Sequence, residues 1–352
     1  MMMKRVLGVF LAVGLSACSG MNHSSLPISI GVSDLLAQER PSNYADSYAS
    51  HPNVQDFIDQ LVERHNYDRT LLELAFSSIQ VRPKVIEKSN NQPEAITPYY
   101  EYKTRFVNDE RAALGRQFAS QYFRWLNKAE QEYGVEPNVI VALIGVETYY
   151  GKITGSKDVF TSLTTLAFDY PRRKEYFQSE LEAYLLLARQ EGWNIGETKG
   201  SYSGAMGMVQ FMPSNYKKLA VDFDGNGHID LWGSPADAIG SVANYLHHHG
   251  WQTDQPWFVT AYVADPDSVK KEINRGRHPS QNVSDWSALN VLPTQSFMDQ
   301  KTGLIALQTS PEVVSYWLAY ENFFTIMDYN PSRRYAMSVL ELAQSIGSYE
   351  KN

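Results

Sequence analysis

PNVIVALIGVETYYG, residues 137–151, is an apolar stretch with a single carboxyl group, that of Glu147, near its end. Pro137 is typical of the first turn of a helix and Gly151 of a helix end, so the pattern predicts a helix whose last turn carries Glu147. The helix dipole disfavours negative charge at that end, and apolar surroundings raise the pKa of a carboxyl group. Both effects favour a general acid at Glu147. Glu147 taken alone leaves an alternative open, namely a Glu at the solvent-exposed edge of a core helix.

A second segment, GSYSGAMGMVQFMPS at residues 200–214, combines closely spaced glycines with hydroxyl, amide and thioether side chains. Glycines let a ligand approach the backbone, and Gln210 can both donate and accept hydrogen bonds. No Gly-Lys-Ser or Gly-Lys-Thr follows, which excludes a phosphate-binding loop of that type. The segment indicates a ligand-binding wall, with a loop leading into a buried helix as the alternative.

Taken together, several motifs resemble one known family. In chain order they are Val146-Glu147-Thr148, Ala167-Phe168-Asp169-Tyr170-Pro171-Arg172-Arg173, Gly204-Ala205-Met206-Gly207, Gln210-Phe211-Met212-Pro213-Ser214 and an acidic loop from Asp222 to Asp230. Over roughly residues 50 to 345, the chain resembles the membrane-bound lytic murein transglycosylase B family. The resemblance implies a mainly α fold of the α+β type: a lysozyme-like helical core, a second helical domain and a small β-rich insertion.

The resemblance also implies an activity and its residues. Glu147 would act as general acid and then base in non-hydrolytic cleavage of the β-1,4 bond between N-acetylmuramic acid and N-acetylglucosamine, without a cofactor. The C6 hydroxyl of N-acetylmuramic acid would attack its own C1 and form a 1,6-anhydro product. The residues implied for substrate binding are Ser201 and Gln210 near the cleaved bond, Tyr245 hydrogen-bonded near Glu147, Tyr329 and Tyr335 lining the cleft, and Arg172 and Arg173 near peptide or acid groups of the muropeptide.

The sequence leaves alternative interpretations open. A hydrolytic muramidase needs a second carboxylate, for which Asp158, Asp169 and Glu175 are candidates. A non-catalytic peptidoglycan-binding lipoprotein would keep the cleft and not need Glu147. Arg172 and Arg173 fit a solvated turn as well as a binding site.

The loop DFDGNGHIDLWG, residues 222–233, follows the EF-hand pattern through position nine. Oxygen-bearing side chains stand at positions one, three, five and nine, a glycine stands at six, and a backbone carbonyl is available at seven. Position twelve is Gly233 rather than a bidentate Glu, and the resemblance implies closure by Asp237 instead. The sequence predicts a structural Ca²⁺ or Na⁺ site, with an Asp/Asn/Gly turn as the alternative. The expected ligands are Asp222, Asp224, Asn226, His228 and Asp237.

The N-terminus has the pattern of a lipoprotein signal peptide over residues 1–17. Lys4 and Arg5 precede an apolar stretch that is too short to span a bilayer as a helix, and small residues lead to Cys18, the only cysteine. Lipidation is therefore expected at Cys18, with an ordinary secretory signal as the alternative. Ser19 resembles the residue that directs Gram-negative lipoproteins to the outer membrane, facing the periplasm. Residues 18–50 are polar and predict a tether.

Composition and patterning complete the domain prediction. Helical periodicity predicts a helical domain over 51–108, a catalytic core over 109–255 that contains the 222–237 loop, and a C-terminal helical segment over 319–352 that returns to the helical domain. Short β-branched runs predict the β-rich insertion over 256–318. The net charge of -8 argues against a nucleic-acid partner. The expected partners are peptidoglycan strands and an outer-membrane lipid anchor, and binding to cell-wall synthesis proteins is left open.

Overall fold

The computed structural model describes residues 47–80, 82–90 and 97–347. The predicted signal peptide, Cys18 and most of the predicted tether lie outside these residues. Tyr48 and Ala49 are buried, so the tether boundary predicted at residue 50 is slightly late: the folded part already includes the short 3-10 turn Tyr48–Ser50. Within the described ranges, no helix has both the length and the apolar character needed to cross a bilayer.

Helices form most of the described structure, which confirms the predicted mainly α class. In chain order they are α1 (Pro52–His65), α2 (Arg69–Ser77), α3 (Pro83–Asn90), α4 (Tyr99–Tyr102), α5 (Asp109–Gln121), α6 (Phe123–Tyr133), α7 (Pro137–Thr148), α8 (Val159–Asp169), α9 (Lys174–Glu191), α10 (Pro213–Leu219), α11 (Pro235–His248), α12 (Glu321–Tyr329) and α13 (Arg333–Ile346). The break between α1 and α2 has a local cause, because Asn66 adopts a left-handed backbone at the end of α1 and Asp68 caps the start of α2.

The core is built around α7. Every residue of α7 from Val139 to Val146 is buried, as expected for a helix that is apolar on all sides. It packs against α5, α6, α11 and α13. Because burying one Val, Leu or Ile side chain contributes about 1.5–3 kcal/mol, this packing strongly stabilises the position of α7. The contact with α13 also brings the C-terminal end of the chain to the helix that carries Glu147.

Residues 258–319 contain the main β-structure. The strands are β3 (Phe258–Val263), β4 (Gln281–Asn282), β5 (Val291–Pro293), β6 (Lys301–Ser310) and β7 (Val313–Ala319), and they form an antiparallel sheet in the order β4-β6-β7-β3-β5. Ile305, Leu307 and Trp317 join the helical core, whereas Leu304, Leu318 and Trp286 belong to a separate small cluster. Side chains alternate between the two sides of a strand, so the sheet has both a small core of its own and a firm attachment to the helices.

A second, two-stranded ladder begins shortly after α7 in the chain. In it, β1 (Lys157–Asp158) pairs antiparallel with β2 (Lys199–Gly200). Gly155 has a φ of 101°, and a Cβ at this residue would come within 2.1 Å of the carbonyl oxygen of Gly200. A glycine is therefore required for this close approach, which holds the start of the 200–214 segment against the chain that follows α7.

Candidate active site

Glu147 lies in the last turn of α7, as the sequence predicts, and a left-handed turn ends the helix directly after it. Tyr149 and Tyr150 have φ values of 55° and 62°, which non-glycine residues rarely adopt. Their side chains hold this turn: the Tyr149 hydroxyl donates to Glu110 Oε1 at 2.6 Å, and the Tyr150 hydroxyl donates to the carbonyl of Arg111 at 2.7 Å. Two side chains anchored to α5 thus maintain a strained turn next to Glu147.

Glu147 faces a cleft of about 670 Å³. The walls come from α4, the 201–210 segment, strand β6 and the residues from Tyr329 to Arg334. Among the described residues that line the cleft, Glu147 is the only Asp or Glu, while Arg173, Arg333 and Arg334 are all cationic. The cleft therefore presents one carboxylate among hydroxyl, amide and guanidinium groups.

Two tyrosines lie near the Glu147 carboxylate; Tyr329 lines the cleft as predicted, whereas Tyr335 is not among the lining residues. The Tyr335 hydroxyl donates a hydrogen bond to Glu147 Oε1, and the Tyr329 hydroxyl donates to the carbonyl of Val209. Burial, together with the negative charge of Glu147, raises the pKa of both tyrosines well above the usual value. Both hydroxyls therefore stay protonated, so Tyr335 remains a hydrogen-bond donor to Glu147.

Tyr245 lies one layer behind the cleft. Its hydroxyl donates to the carbonyl of Asp328 at 2.8 Å, and its ring packs edge-on against Tyr329 with 4.7 Å between ring centroids. The imidazole of His249 stacks on the same ring at 4.1 Å. The predicted hydrogen bond near Glu147 is thus wrong, because α11 directs this hydroxyl toward the end of α12. Tyr245 instead supports the position of Tyr329.

Ser201 lines the cleft and organises the turn around it. Its Oγ accepts hydrogen bonds from the backbone N–H of Ser203 at 3.2 Å and of Ala205 at 3.0 Å. Because these bonds use the lone pairs of the hydroxyl, its proton is the part still available to a ligand, and the Ser203 hydroxyl lies 3.1 Å away as a further partner.

Gln210 lines the cleft from the other end of the same segment. Its backbone is left-handed, with φ 50°, and its amide nitrogen donates to the carbonyls of Thr154 at 3.0 Å and Gly207 at 2.9 Å. The Thr148 hydroxyl donates to the carbonyl of Met208 at 2.7 Å, which ties the segment to the residue after Glu147. The two parts of the predicted site are therefore joined by direct bonds.

Gly207 permits a close approach within this segment. It has a φ of 70°, and a Cβ here would come within 2.6 Å of the carbonyl oxygen of Leu231. The neighbouring Met208 N–H donates to that same carbonyl at 2.7 Å. A side chain at position 207 would therefore separate the cleft wall from the acidic loop that follows it.

The two predicted arginines have different positions. Arg173 lines the cleft, and its guanidinium lies 4.0 Å from the centroid of the Tyr176 ring. Arg172 does not line the main cleft but lies in a smaller adjoining pocket that Arg173 and Ser203 also line. Arg173, Tyr176 and Ser203 line both pockets, so the pocket that contains Arg172 adjoins the main cleft.

The acidic loop brings three of its predicted ligands together. Carboxylate oxygens of Asp222, Asp224 and Asp237 all lie within 4.8 Å of one another. The side-chain oxygen of Asn226 accepts from the N–H of His228 at 2.9 Å, so these two residues belong to the same turn. The backbone N–H of Gly227 is the main cause of a lowered pKa at Asp222. A set of convergent carboxylate oxygens fits a hard cation such as Ca²⁺.

Asp237 closes this cluster from the first turn of α11. It is fully buried, and its oxygens accept from the N–H of Phe223 at 2.8 Å and of Asp230 at 2.8 Å. Burial raises its pKa above the ordinary value of 3.8. Gly233, which stands where an EF-hand has its bidentate Glu, instead packs against the Asp230 carboxylate.

Several cleft residues had no signal in the sequence. Tyr99 on α4 lines the cleft, and the neighbouring Tyr102 is buried close enough to Tyr335 to influence its pKa. Asn274 and Gln308 come from the β-rich region and also line the cleft. Each of these residues lies more than a hundred positions from Glu147 or in a four-residue helix, so the periodic patterns of the sequence did not indicate them.

Comparison with known proteins agrees with this fold. The family model described as the transglycosylase SLT domain matches residues 49–344, and the chain belongs to this family. The membrane-bound lytic murein transglycosylase B of Escherichia coli (strain K12) is 40% identical over 322 residues, which covers 89% of this chain and 87% of that protein. The resemblance found in the sequence is thereby confirmed.

Solved structures show the same fold. The Escherichia coli lytic transglycosylase SLT35 in complex with bulgecin A has a TM-score of 0.78 and 39% identity, covering 88% of this chain and 98% of that one. SLT35 has also been solved in complex with calcium, with a TM-score of 0.76, 39% identity and the same coverage. SltB3 of Pseudomonas aeruginosa, in complex with NAG-anhNAM-pentapeptide, has a TM-score of 0.70 and 32% identity, covering 84% of this chain and 79% of that one.

Proposed function

We propose that this chain is a peptidoglycan lytic transglycosylase. It cleaves the β-1,4 bond between N-acetylmuramic acid and N-acetylglucosamine without water and leaves a 1,6-anhydro-N-acetylmuramic acid end. The observation that carries this proposal is the cleft in which Glu147 is the only carboxylate among the described lining residues. Relatives named as lytic transglycosylases support the same reaction class.

Glu147 serves first as the acid and then as the base. Its proton passes to the glycosidic oxygen as the bond from that oxygen to C1 breaks, which releases the N-acetylglucosamine end with a free hydroxyl. The C6 hydroxyl of N-acetylmuramic acid then bonds to C1, and its proton passes to the Glu147 carboxylate. Atoms and charge balance without water, and Glu147 ends protonated and ready for the next cycle. The hydrogen bond from Tyr335 orients the carboxylate through both steps.

A hydrolytic muramidase fits the geometry less well. The Asp158 carboxylate caps α8 by accepting from the N–H of Thr161 at 2.7 Å. Asp169 accepts from the Tyr48 hydroxyl, and Glu175 is exposed on α9. None of these three candidates is among the residues that line the cleft. Hydrolysis requires a second carboxylate to activate water or act as a nucleophile, and none of these three residues supplies one to the cleft.

Tyr335→Phe is expected to lower kcat about tenfold and to change KM little. The variant keeps the ring in the core and removes the hydrogen bond that orients Glu147, and a hydrogen bond to a charged group contributes about 1.5–3 kcal/mol. Muropeptide release from purified peptidoglycan measures both parameters. Tyr245→Phe is the matched control, because it also deletes a buried tyrosine hydroxyl but one that donates to the carbonyl of Asp328 rather than to Glu147. An equal loss in both variants would contradict a specific role for Tyr335.

We also propose that the cluster of Asp222, Asp224 and Asp237 holds a structural Ca²⁺. Asn226 and the backbone carbonyl of His228 complete the expected ligand set. The calcium complex of the related SLT35 supports this assignment. The ion would join the loop to the start of α11 and takes no part in the glycosidic reaction.

The chain is further proposed to be an outer-membrane lipoprotein that faces the periplasm, anchored by lipid on Cys18. The pattern before Cys18 supports this, as does the membrane-bound relative. Growth of producing cells with labelled palmitate tests the anchor. Label is expected on the wild-type chain and absent from Cys18→Ala, and equal labelling of the two would contradict the assignment. Binding to cell-wall synthesis proteins stays a prediction.

A further inference from the structure

The cleft carries positive charge on separate walls. Arg173 reaches it from the 3-10 turn Pro171–Arg173, and Arg333 reaches it from the first residue of α13. Neither arginine forms an ion pair with a carboxylate of the described residues. The chain as a whole has a net charge of -8, so the cleft is a cationic region on an acidic protein. A cleft of this kind concentrates anionic ligands.

Arg333 is held in position, but its charge is not neutralised. One terminal nitrogen, Nη2, donates to the carbonyl of Gly276, while Nε is buried and has no acceptor in the described part of the chain. Burial lowers the pKa of Arg333, and the positive charge of the nearby Arg277 lowers it further. An arginine with these neighbours still stays charged at neutral pH. The protein therefore places an uncompensated guanidinium at the cleft wall.

The N-terminal end of α13 adds to the positive electrostatic potential in the cleft. Ser332 caps the helix by accepting from the N–H of Tyr335 at 3.3 Å, and Arg333 is the first helical residue. A helix N-terminus carries partial positive charge, so a cation there is unfavourable for stability. The same arrangement favours an anion that reaches the cleft, because the guanidinium and the helix end act on it together.

We propose that Arg333 is a specificity residue that binds a carboxylate of the substrate, on a different wall of the cleft from Arg173. This inference rests on the proposed function, because peptidoglycan carries carboxylates that other β-1,4-linked amino sugar polymers lack. Two sources share this chemistry: the carboxylates of the stem peptide, and the lactyl carboxylate of N-acetylmuramic acid once the peptide has been removed. A neutral oligosaccharide of N-acetylglucosamine offers neither.

Binding to three probes in a Glu147→Gln background tests the inference without turnover. The probes are a disaccharide muropeptide with its stem peptide, the same disaccharide with a free lactyl carboxylate, and neutral N-acetylchitotetraose. Arg333→Gln is expected to weaken binding of a carboxylate-bearing probe about tenfold, since one charge-assisted hydrogen bond is lost. Binding of N-acetylchitotetraose is expected to stay within about twofold. The anionic probe that loses affinity identifies the source of the carboxylate.

Two further variants separate an effect of the Arg333 charge from a general effect of substitution. Arg333→Lys retains the charge and is expected to recover part of the lost affinity, and the affinity of the wild-type chain should fall with salt more steeply than that of Arg333→Gln. Arg124→Gln, at an exposed position on α6 that does not line the cleft, is the matched control. Equal loss for neutral and anionic probes, or no loss for either, would overturn the inference. If wild-type chain instead released no 1,6-anhydro products, the proposed chemistry would fail while this binding result stood.

Discussion

Glu147→Gln is expected to reduce the release of 1,6-anhydromuropeptides by about a thousandfold or more. Proton transfer by a positioned side chain contributes about 10²–10⁴-fold, and this cleft offers no second carboxylate among its described residues that could take over. Gln has the same shape as Glu and keeps an oxygen that accepts from the Tyr335 hydroxyl. The fold should therefore remain intact while both proton transfers are lost.

Mass spectrometry of products from purified peptidoglycan gives the measurement, together with the melting temperature of each variant. Glu175→Gln is the matched control, because it makes the same chemical change at an exposed position on α9. The wild-type chain and this control should release products that end in 1,6-anhydro-N-acetylmuramic acid. Reducing ends would show hydrolysis, and comparable release by Glu147→Gln would show that another group acts as acid and base.

The second large effect is expected from calcium. At a free Ca²⁺ concentration of about a hundred times Kd, binding to the native state alone adds about 2.7 kcal/mol, which corresponds to a rise of several degrees in Tm. The reason is the close approach of three carboxylates within 4.8 Å, one of them on the fully buried Asp237. Without a cation these charges repel one another, and a chelator should reverse the rise.

The effect of calcium on Tm should depend on pH because the carboxyl group of Asp237 is buried. Burial raises the pKa of Asp237 above 3.8, so without metal its contribution to stability is full at pH below that value and is lost as pH rises through the raised pKa. Calcium binds the ionised form and gains affinity over the same window. The increment in Tm from calcium should therefore grow as pH rises from about 4 through the raised pKa of Asp237.

Substitutions in the loop separate metal binding from folding. Asp224→Asn is expected to lose most of the calcium response with little change in Tm in chelator, because its side chain can still contact the Ser234 hydroxyl, 3.0 Å away. Asp237→Asn should lose the response and also lower Tm in chelator, since one of the two backbone N–H groups that donate to its carboxylate loses its acceptor. Asp285→Asn, exposed and outside the loop, should respond like the wild-type chain. A calcium response retained in full by Asp224→Asn would contradict the assignment.

The sequence by itself determined the features with local causes. Pro137 and the apolar run that follows it specify a helix that is buried on all sides, with Glu147 in its last turn. The spacing of oxygen side chains from Asp222 specifies the acidic loop, because a turn of this kind depends on neighbouring residues.

Only the tertiary structure decided which residues come together at the cleft. Tyr335 and Glu147 are 188 positions apart, and their hydrogen bond exists because α13 packs against α7. The position of α13 also places Arg333 at the cleft wall, while α11 directs the hydroxyl of Tyr245 to the carbonyl of Asp328, one layer behind the cleft. Contacts between distant segments depend on the packing of the whole core, and a side chain's immediate neighbours in sequence carry no information about which distant segment it will face.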